Sequence, residues 1–323
     1  MSSKPLTSLA SQEIEALRRR PLWQVRLLLW WRGVRAGWAI FAENRIGLVG
    51  LAIILSFAVM ALIHPILINT IWPPAIYDPV NGYDPLIISH PAPPQARHWL
   101  GTDPYGRDVL SQLMYSTRAE FVLGMIAALV TVVIGTSVGA IAAYFGGLID
   151  AFFMRLADLM ITLPFTVLLI VIGGFIKLDL GGLALMIGIL AGFGATTIIL
   201  KSQALTVKVR TYVEAARVAG GGHVHIMLHH IVPNLLPLSF LYMMFTVTDA
   251  IASEAVLSYL GLLDARMSWG LMIFTAQTSG YLLNFETWWL IMPAGLAITL
   301  LCAAFYLVGR ALDEVVNPRL RSR

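Results

Sequence analysis

Six apolar runs in this chain are each long enough, or nearly so, to cross a lipid bilayer as a helix. They fall at about 46–68, 119–144, 152–176, 181–200, 234–260 and 287–309. A hydrocarbon core of roughly 30 Å takes about 20 apolar residues in a helix. The runs lack the alternation of apolar and polar residues that a membrane β-barrel needs, so the expected fold is an all-α polytopic bundle. Composition excludes a soluble reading. Hydrophobic residues make up 58% of the 323-residue chain and charged residues 12%, about half the roughly 25% usual in a soluble domain. The first run begins only near Ile46, behind a polar and basic stretch too long for a signal n-region, so it is expected to stay as a first transmembrane helix.

The net charge of +4 does not point to nucleic acid, because the Lys and Arg residues sit at the ends of the apolar runs instead of forming a groove-like patch. With both termini on the cytoplasmic side, 17 basic residues fall inside and 5 outside. The positive-inside rule then fixes that direction. The polar interruption at 201–232 becomes cytoplasmic, and the segment 69–117 becomes external. Seven prolines between positions 73 and 94 of that external segment predict an irregular, ordered cap. The lone Cys302 allows no disulfide within the chain.

The chain thus divides into an N-terminal cytoplasmic segment (1–45), a transmembrane domain (46–310) and a cytoplasmic tail (311–323). In the first segment, Trp23, Leu27, Trp30, Val34, Trp38 and Phe41 share one stripe at helical spacing, with Arg32 and Arg35 turned away. An indole-rich face opposed by Arg suits a helix lying in the membrane interface, in contact with lipid.

Five stretches carry a family resemblance. Glu214-Ala215-Ala216 followed by Gly220, and then His230 and Pro233-Asn234, resembles the EAA loop of ABC importer permeases. Leu100-Gly101-Thr102-Asp103 through Ser111 is similar to the signature before the second span of permeases of the peptide/nickel importer family. Tyr144-Phe145-Gly146-Gly147 with Asp150, and Ser253-Glu254-Ala255 through Leu262, match two further stretches of that family. So does the closing Asn317-Pro318-Arg319. The order and spacing are nearest to the second, shorter permease of dipeptide and oligopeptide importers. Gln112 and Ser116-Thr117 depart from the pattern, which leaves the EAA loop untouched and bears on substrate identity.

The resemblance implies a six-helix permease of the type I ABC importer kind in the bacterial inner membrane. It implies a homologous permease as partner, two cytoplasmic ABC ATPase subunits and an extracytoplasmic substrate-binding protein. It also implies that Glu214, Ala215, Ala216, Gly220, His230 and Pro233 form the ATPase-coupling loop. Small Ala side chains allow close approach and favour helix. Glu214 offers a carboxylate for a charge-assisted hydrogen bond. Gly220 to Gly222 would end the short helix, and Pro233 fits the first turn of the fifth span.

No G-x-x-x-x-G-K-[ST] phosphate loop occurs, so ATP and Mg belong to the partner ATPases, and this chain carries no cofactor and no catalytic residue of its own. His223, His225, His229 and His230 lack the carboxylates and second shell that zinc sites recruit, so no metal site is expected. Acidic residues inside spans are costly. Arg155 three residues from Asp158 predicts a local ion pair. Asp249, in the middle of span five, reads first as a packing residue and second as a pathway residue. Glu254 reads either as a packing hydrogen bond or as a lining group for a peptide ammonium. Pro164 and Pro293 are potential kinks. Nickel or another small solute is the alternative cargo. An ion-driven secondary transporter is the rival class, and it would show internal repeats and discontinuous spans bearing ion ligands.

Overall fold

The structure, a computed structural model, describes residues 21–316; the closing Asn317-Pro318-Arg319 lies outside them. Helix α1 (Leu22–Glu43) leads into α2 (Arg45–Thr70), and α3 (Val109–Phe145) follows the Pro-rich segment. Two broken helices come next: α4 (Gly147–Thr162) with α5 (Phe165–Phe175), and α6 (Leu180–Phe193) with α7 (Ala195–Lys208). The short α8 (Thr211–Val218) precedes α9 (His223–Tyr259), and α10 (Trp269–Thr278) precedes α11 (Met292–Val316). Helices α2, α3, α9 and α11 are each long and apolar enough to cross a membrane, and the two broken pairs raise the number to six. The protein is a multi-pass membrane protein.

Helix α3 is the central post, packed against α2, α6, α7 and α9. Small residues let its neighbours come close: a Cβ on Gly188 of α6 would sit 2.5 Å from Val130 Cβ. The chain enters and leaves at one end of the bundle, where Phe41 packs with Val308 and Ala311. There Asn44 caps α2 by accepting from the Gly47 amide and donates to Glu314 at 2.7 Å. On α1, Trp38 is exposed while Phe41 is buried; the side chains of Trp23, Leu27, Trp30 and Val34 lie outside the described residues. We call this end, which also carries α8, the loop end, and the opposite end, covered by residues 71–108, the cap end.

Several expectations need correction. Helix α3 starts at Val109, well before its apolar run, because Asp108 caps it by accepting from the Ser111 amide and the cap buries its polar first turns. Pro164 does more than kink its span: α4 and α5 meet at 83° there. A second break, of 43°, falls at Gly194. Pro293 bends nothing, since it lies at the start of α11, where its missing N–H has no helical partner to lose. Pro233 stands in the first turn of the α-helical part of span five, Val232–Tyr259, as expected; a π-turn at Met227–Ile231, in which the Val232 amide reaches back to the Met227 carbonyl, continues α9 back to His223. Among the described residues Arg155 and Asp158 form no ion pair; Asp150 pairs with Lys201 of α7 instead.

The cap is irregular, with one short helical turn at Pro74–Tyr77 and a bridge between Thr102 and Asp108. An indole fastens it to the bundle, Trp289 donating to the Thr102 carbonyl, and just beneath it Trp269 of α10 donates to the Leu113 carbonyl of α3. A two-residue parallel pairing joins Leu178–Asp179 (β1) to Leu263–Asp264 (β2) at the same end.

Candidate coupling and pathway sites

Helix α8 is held to the bundle by one face. Val213 is fully buried with Ala140, Ala143, Tyr144, Leu200, Ala204, Ile226 and Ile231. Ala216 is half-buried against this cluster, whereas Glu214, Ala215 and Arg217 are exposed. The two alanines of the motif therefore differ: Ala216 faces inward and Ala215 outward. The helix ends in a Schellman turn, with the Gly221 amide donating to the Ala216 carbonyl and the Gly220 amide to the Arg217 carbonyl. Gly220 takes φ +84°, a conformation that a side chain disfavours. Two bonds brace the loop from behind: Tyr144 Oη with His223 Nδ1 at 2.8 Å, and Lys208 Nζ donating to the Ala143 carbonyl.

The outer surface of this end is unusually apolar for a polar loop. Val218 is 89% exposed, with Val224, Leu228 and Tyr212 also exposed. His225 and His229 stack at 4.3 Å, and His230 lies against Tyr212 and His225. Among the described residues no group of three or more His, Cys, Asp or Glu is placed to hold a metal ion.

The acidic residues of span five part company. Asp249 is exposed and lines a cavity of about 440 Å³. The other walls of that cavity include Pro164, Phe165, Gly194 and Ala195, the two places where the broken helices restart. The amino ends of α5 and α7 therefore converge on a space that also holds a carboxylate, partway along the bundle. Glu254 is fully buried and accepts from the Ser258 hydroxyl. Glu120 on α3, also fully buried, is its acidic neighbour. Glu120 is not among the residues singled out above, although an acidic side chain in an apolar run was the applicable signal. Its place one residue inside the run made it look like a border residue.

The cap holds a second buried polar cluster. His98 Nδ1 meets Asp108 at 2.7 Å and His98 Nε2 meets Asp84 at 3.3 Å, and all three side chains are buried. Arg97 reaches Asp84 from outside at 3.3 Å. Burial works against a charged His98, but its bonds and charge attraction to Asp108 and Asp84 outweigh that and raise its proton affinity above the ordinary histidine range. Burial also pushes Asp84 up, yet the Leu86 amide, His98 and Arg97 together hold its carboxyl below the usual carboxylate range. This cluster is not legible in the sequence, because His98 lies in a proline-rich stretch without periodicity.

Residues 135–322 match the family model described as "Binding-protein-dependent transport system inner membrane component". The chain is 30% identical over 287 residues to the dipeptide transport system permease protein DppC of Haemophilus influenzae, covering 88% of this chain and 94% of that protein. It is 31% identical over 286 residues to the DppC protein of Bacillus subtilis, covering 88% and 85%. It is also 31% identical over 284 residues to the oligopeptide transport system permease protein OppC of Bacillus subtilis, covering 87% and 88%. With its apolar spans, this chain therefore belongs to the binding-protein-dependent transport system inner membrane components, as a permease subunit of an ABC importer with a transport role and not an enzymatic one.

Proposed function

We infer that this chain is half of the translocation pathway of an ATP-driven importer of di- or oligopeptides in a bacterial inner membrane, with both termini cytoplasmic. The peptide cargo is supported by the names of its relatives, which are dipeptide and oligopeptide permeases. The orientation is supported by the excess of Lys and Arg at the loop end. A homologous permease completes the pathway, an extracytoplasmic binding protein delivers cargo at the cap end, and two ATPase subunits dock at the loop end.

One observation carries the docking assignment: α8 is anchored by Val213 while Glu214, Ala215, Arg217 and Val218 face outward. Covering an exposed Val gains about 1.5–3 kcal/mol, so Val218, Val224 and Leu228 together favour a partner surface. Rigid fastening of α8 to α3 and α9 means that a push on the loop moves the helices that wall the pathway. Asp249 is the pathway residue in this reading, positioned to meet a cationic group of the cargo. Glu254, being enclosed, takes no part in lining.

The test is peptide uptake into proteoliposomes. Uptake of a labelled dipeptide should require both permeases, the ATPases, the binding protein and ATP. Uptake by this chain alone, without nucleotide, would defeat the proposal.

A further inference from the structure

Glu120 and Glu254 present an arrangement that a transport pathway does not explain. Both are fully buried between α3 and α9, and neither forms an ion pair with Lys, Arg or His among the described residues. Both Glu120 oxygens and Glu254 Oε2 are buried without a hydrogen-bond donor. Ser116 Oγ, one turn before Glu120 on the same face of α3, is equally enclosed and equally without a partner. Two ionised carboxylates that are neighbours away from water repel strongly; a proton on one of them removes that repulsion and supplies the missing donor.

The surrounding donors show which residue keeps the charge. The Leu271 amide, in the first turn of α10, donates to Ser268 Oγ at 3.1 Å. Ser268 Oγ donates to Ser258 Oγ at 3.1 Å, and Ser258 Oγ donates to Glu254 Oε1. Each link points towards Glu254, and the chain begins at a helix amino end, whose partial positive charge favours an anion. No donor reaches Glu120. Close packing holds the relay in place: a Cβ on Gly270 would lie 2.6 Å from Ser258 Cβ.

We propose that Glu120 and Glu254 are a proton-binding site, with the proton on Glu120 and the charge on Glu254, that latches α3 to α9 at the cap-end half of the bundle. Cys302 of α11 is the thiol near Glu120, and Asp249, lower on α9, lies towards Cys302. His64 of α2 is bonded to Ser111, nearer the cap, and Lys201 of α7 is engaged by Asp150. Neither α6 nor α10 contributes a titratable side chain; Ser268, which caps α10, brings only its hydroxyl. When α3 and α9 part, water enters, Glu120 ionises and the proton passes to that water. The site stands independently of cargo identity.

The experiment is infrared spectroscopy of the assembled complex in lipid at neutral pH, with thermal denaturation followed across pH. A protonated carboxylic C=O band should be present in the native protein, absent in E120Q and retained in E254Q. The native state holds one proton that the unfolded chain has released, so raising pH should shift the unfolding equilibrium about tenfold more per pH unit in the native protein than in E120Q. A band lost in E254Q but kept in E120Q would overturn the assignment of the proton. Absence of any such band from the native protein, with stabilisation by sodium chloride in its place, would overturn the site and indicate a bound cation. Should E120Q fail to assemble, E120S supplies the same comparison.

Discussion

The two ends of the bundle handle polar groups in opposite ways. At the cap end His98, Asp84 and Asp108 are sealed inside, each satisfied by partners from the same chain. At the loop end Glu214 and Arg217 stand in the open beside Val218, and only the buried side of α8 is satisfied internally. The first arrangement serves the chain's own fold, while the second leaves charged and apolar side chains open, on the surface where the proposed ATPase would dock. Substitutions at the cap should therefore register as stability, and substitutions on the outer face of α8 as loss of coupling.

That contrast can be broken by mutation. The largest effect is expected from Ala215→Asp, which places a charge on the docking face without touching the core. ATP-driven uptake should fall about 100-fold or more, since burying an unpaired charge costs several kcal/mol, while membrane insertion and thermal stability remain those of the native protein. Next comes His98→Asn. It leaves Asp84 and Asp108 buried beside each other's charge, and a melting experiment should show a loss of about 3 kcal/mol.

The cap's pH dependence follows in sign. The native affinity of His98 for its proton is raised, so its contribution is complete below the ordinary histidine range and disappears as pH rises through the native value. Asp84 is held low, so its contribution is present above the usual carboxylate range and is lost as pH falls through its depressed value. Melting temperature should thus decline on both the alkaline and the acid side, and His98→Asn should flatten the alkaline limb. Gly270→Ala tests the packing beneath the cap. Its Cβ would meet Ser258 Cβ at 2.6 Å and the Ala255 carbonyl at 2.7 Å, and a cost of about 2 kcal/mol is expected on denaturation. The smallest effect should come from Gly220→Ala, about 1 kcal/mol, because the site is open in space and only φ +84° opposes a side chain.

What could be read from the sequence follows a physical line. The spans were legible because lipid enforces a run of apolar residues regardless of neighbours. The end of α8 was legible because Gly220 answers a local backbone demand. The inward turn of Ala216 was not, since it depends on where α3 and α9 place Tyr144 and Ile231. The break at Gly194 was not legible, because glycine in an apolar run also serves packing, as Gly188 does. Glu120 and Glu254 are distant in sequence, and only the register of α3 against α9 brings them together. Pro233 was legible as a first-turn proline, whereas the π-turn that carries α9 back to His223 was not, because no local backbone signal marks it.

The central claim is that the exposed face of α8 is the seat of the ATPase. Cross-linking from a cysteine at position 218, in the assembled complex with Cys302 replaced by Ser, tests it most directly. A covalent link from Val218→Cys to the ATP-hydrolysing subunit, suppressed by Ala215→Asp, is the predicted result. Labelling of that cysteine by an impermeant thiol reagent added from the binding-protein side would contradict the account.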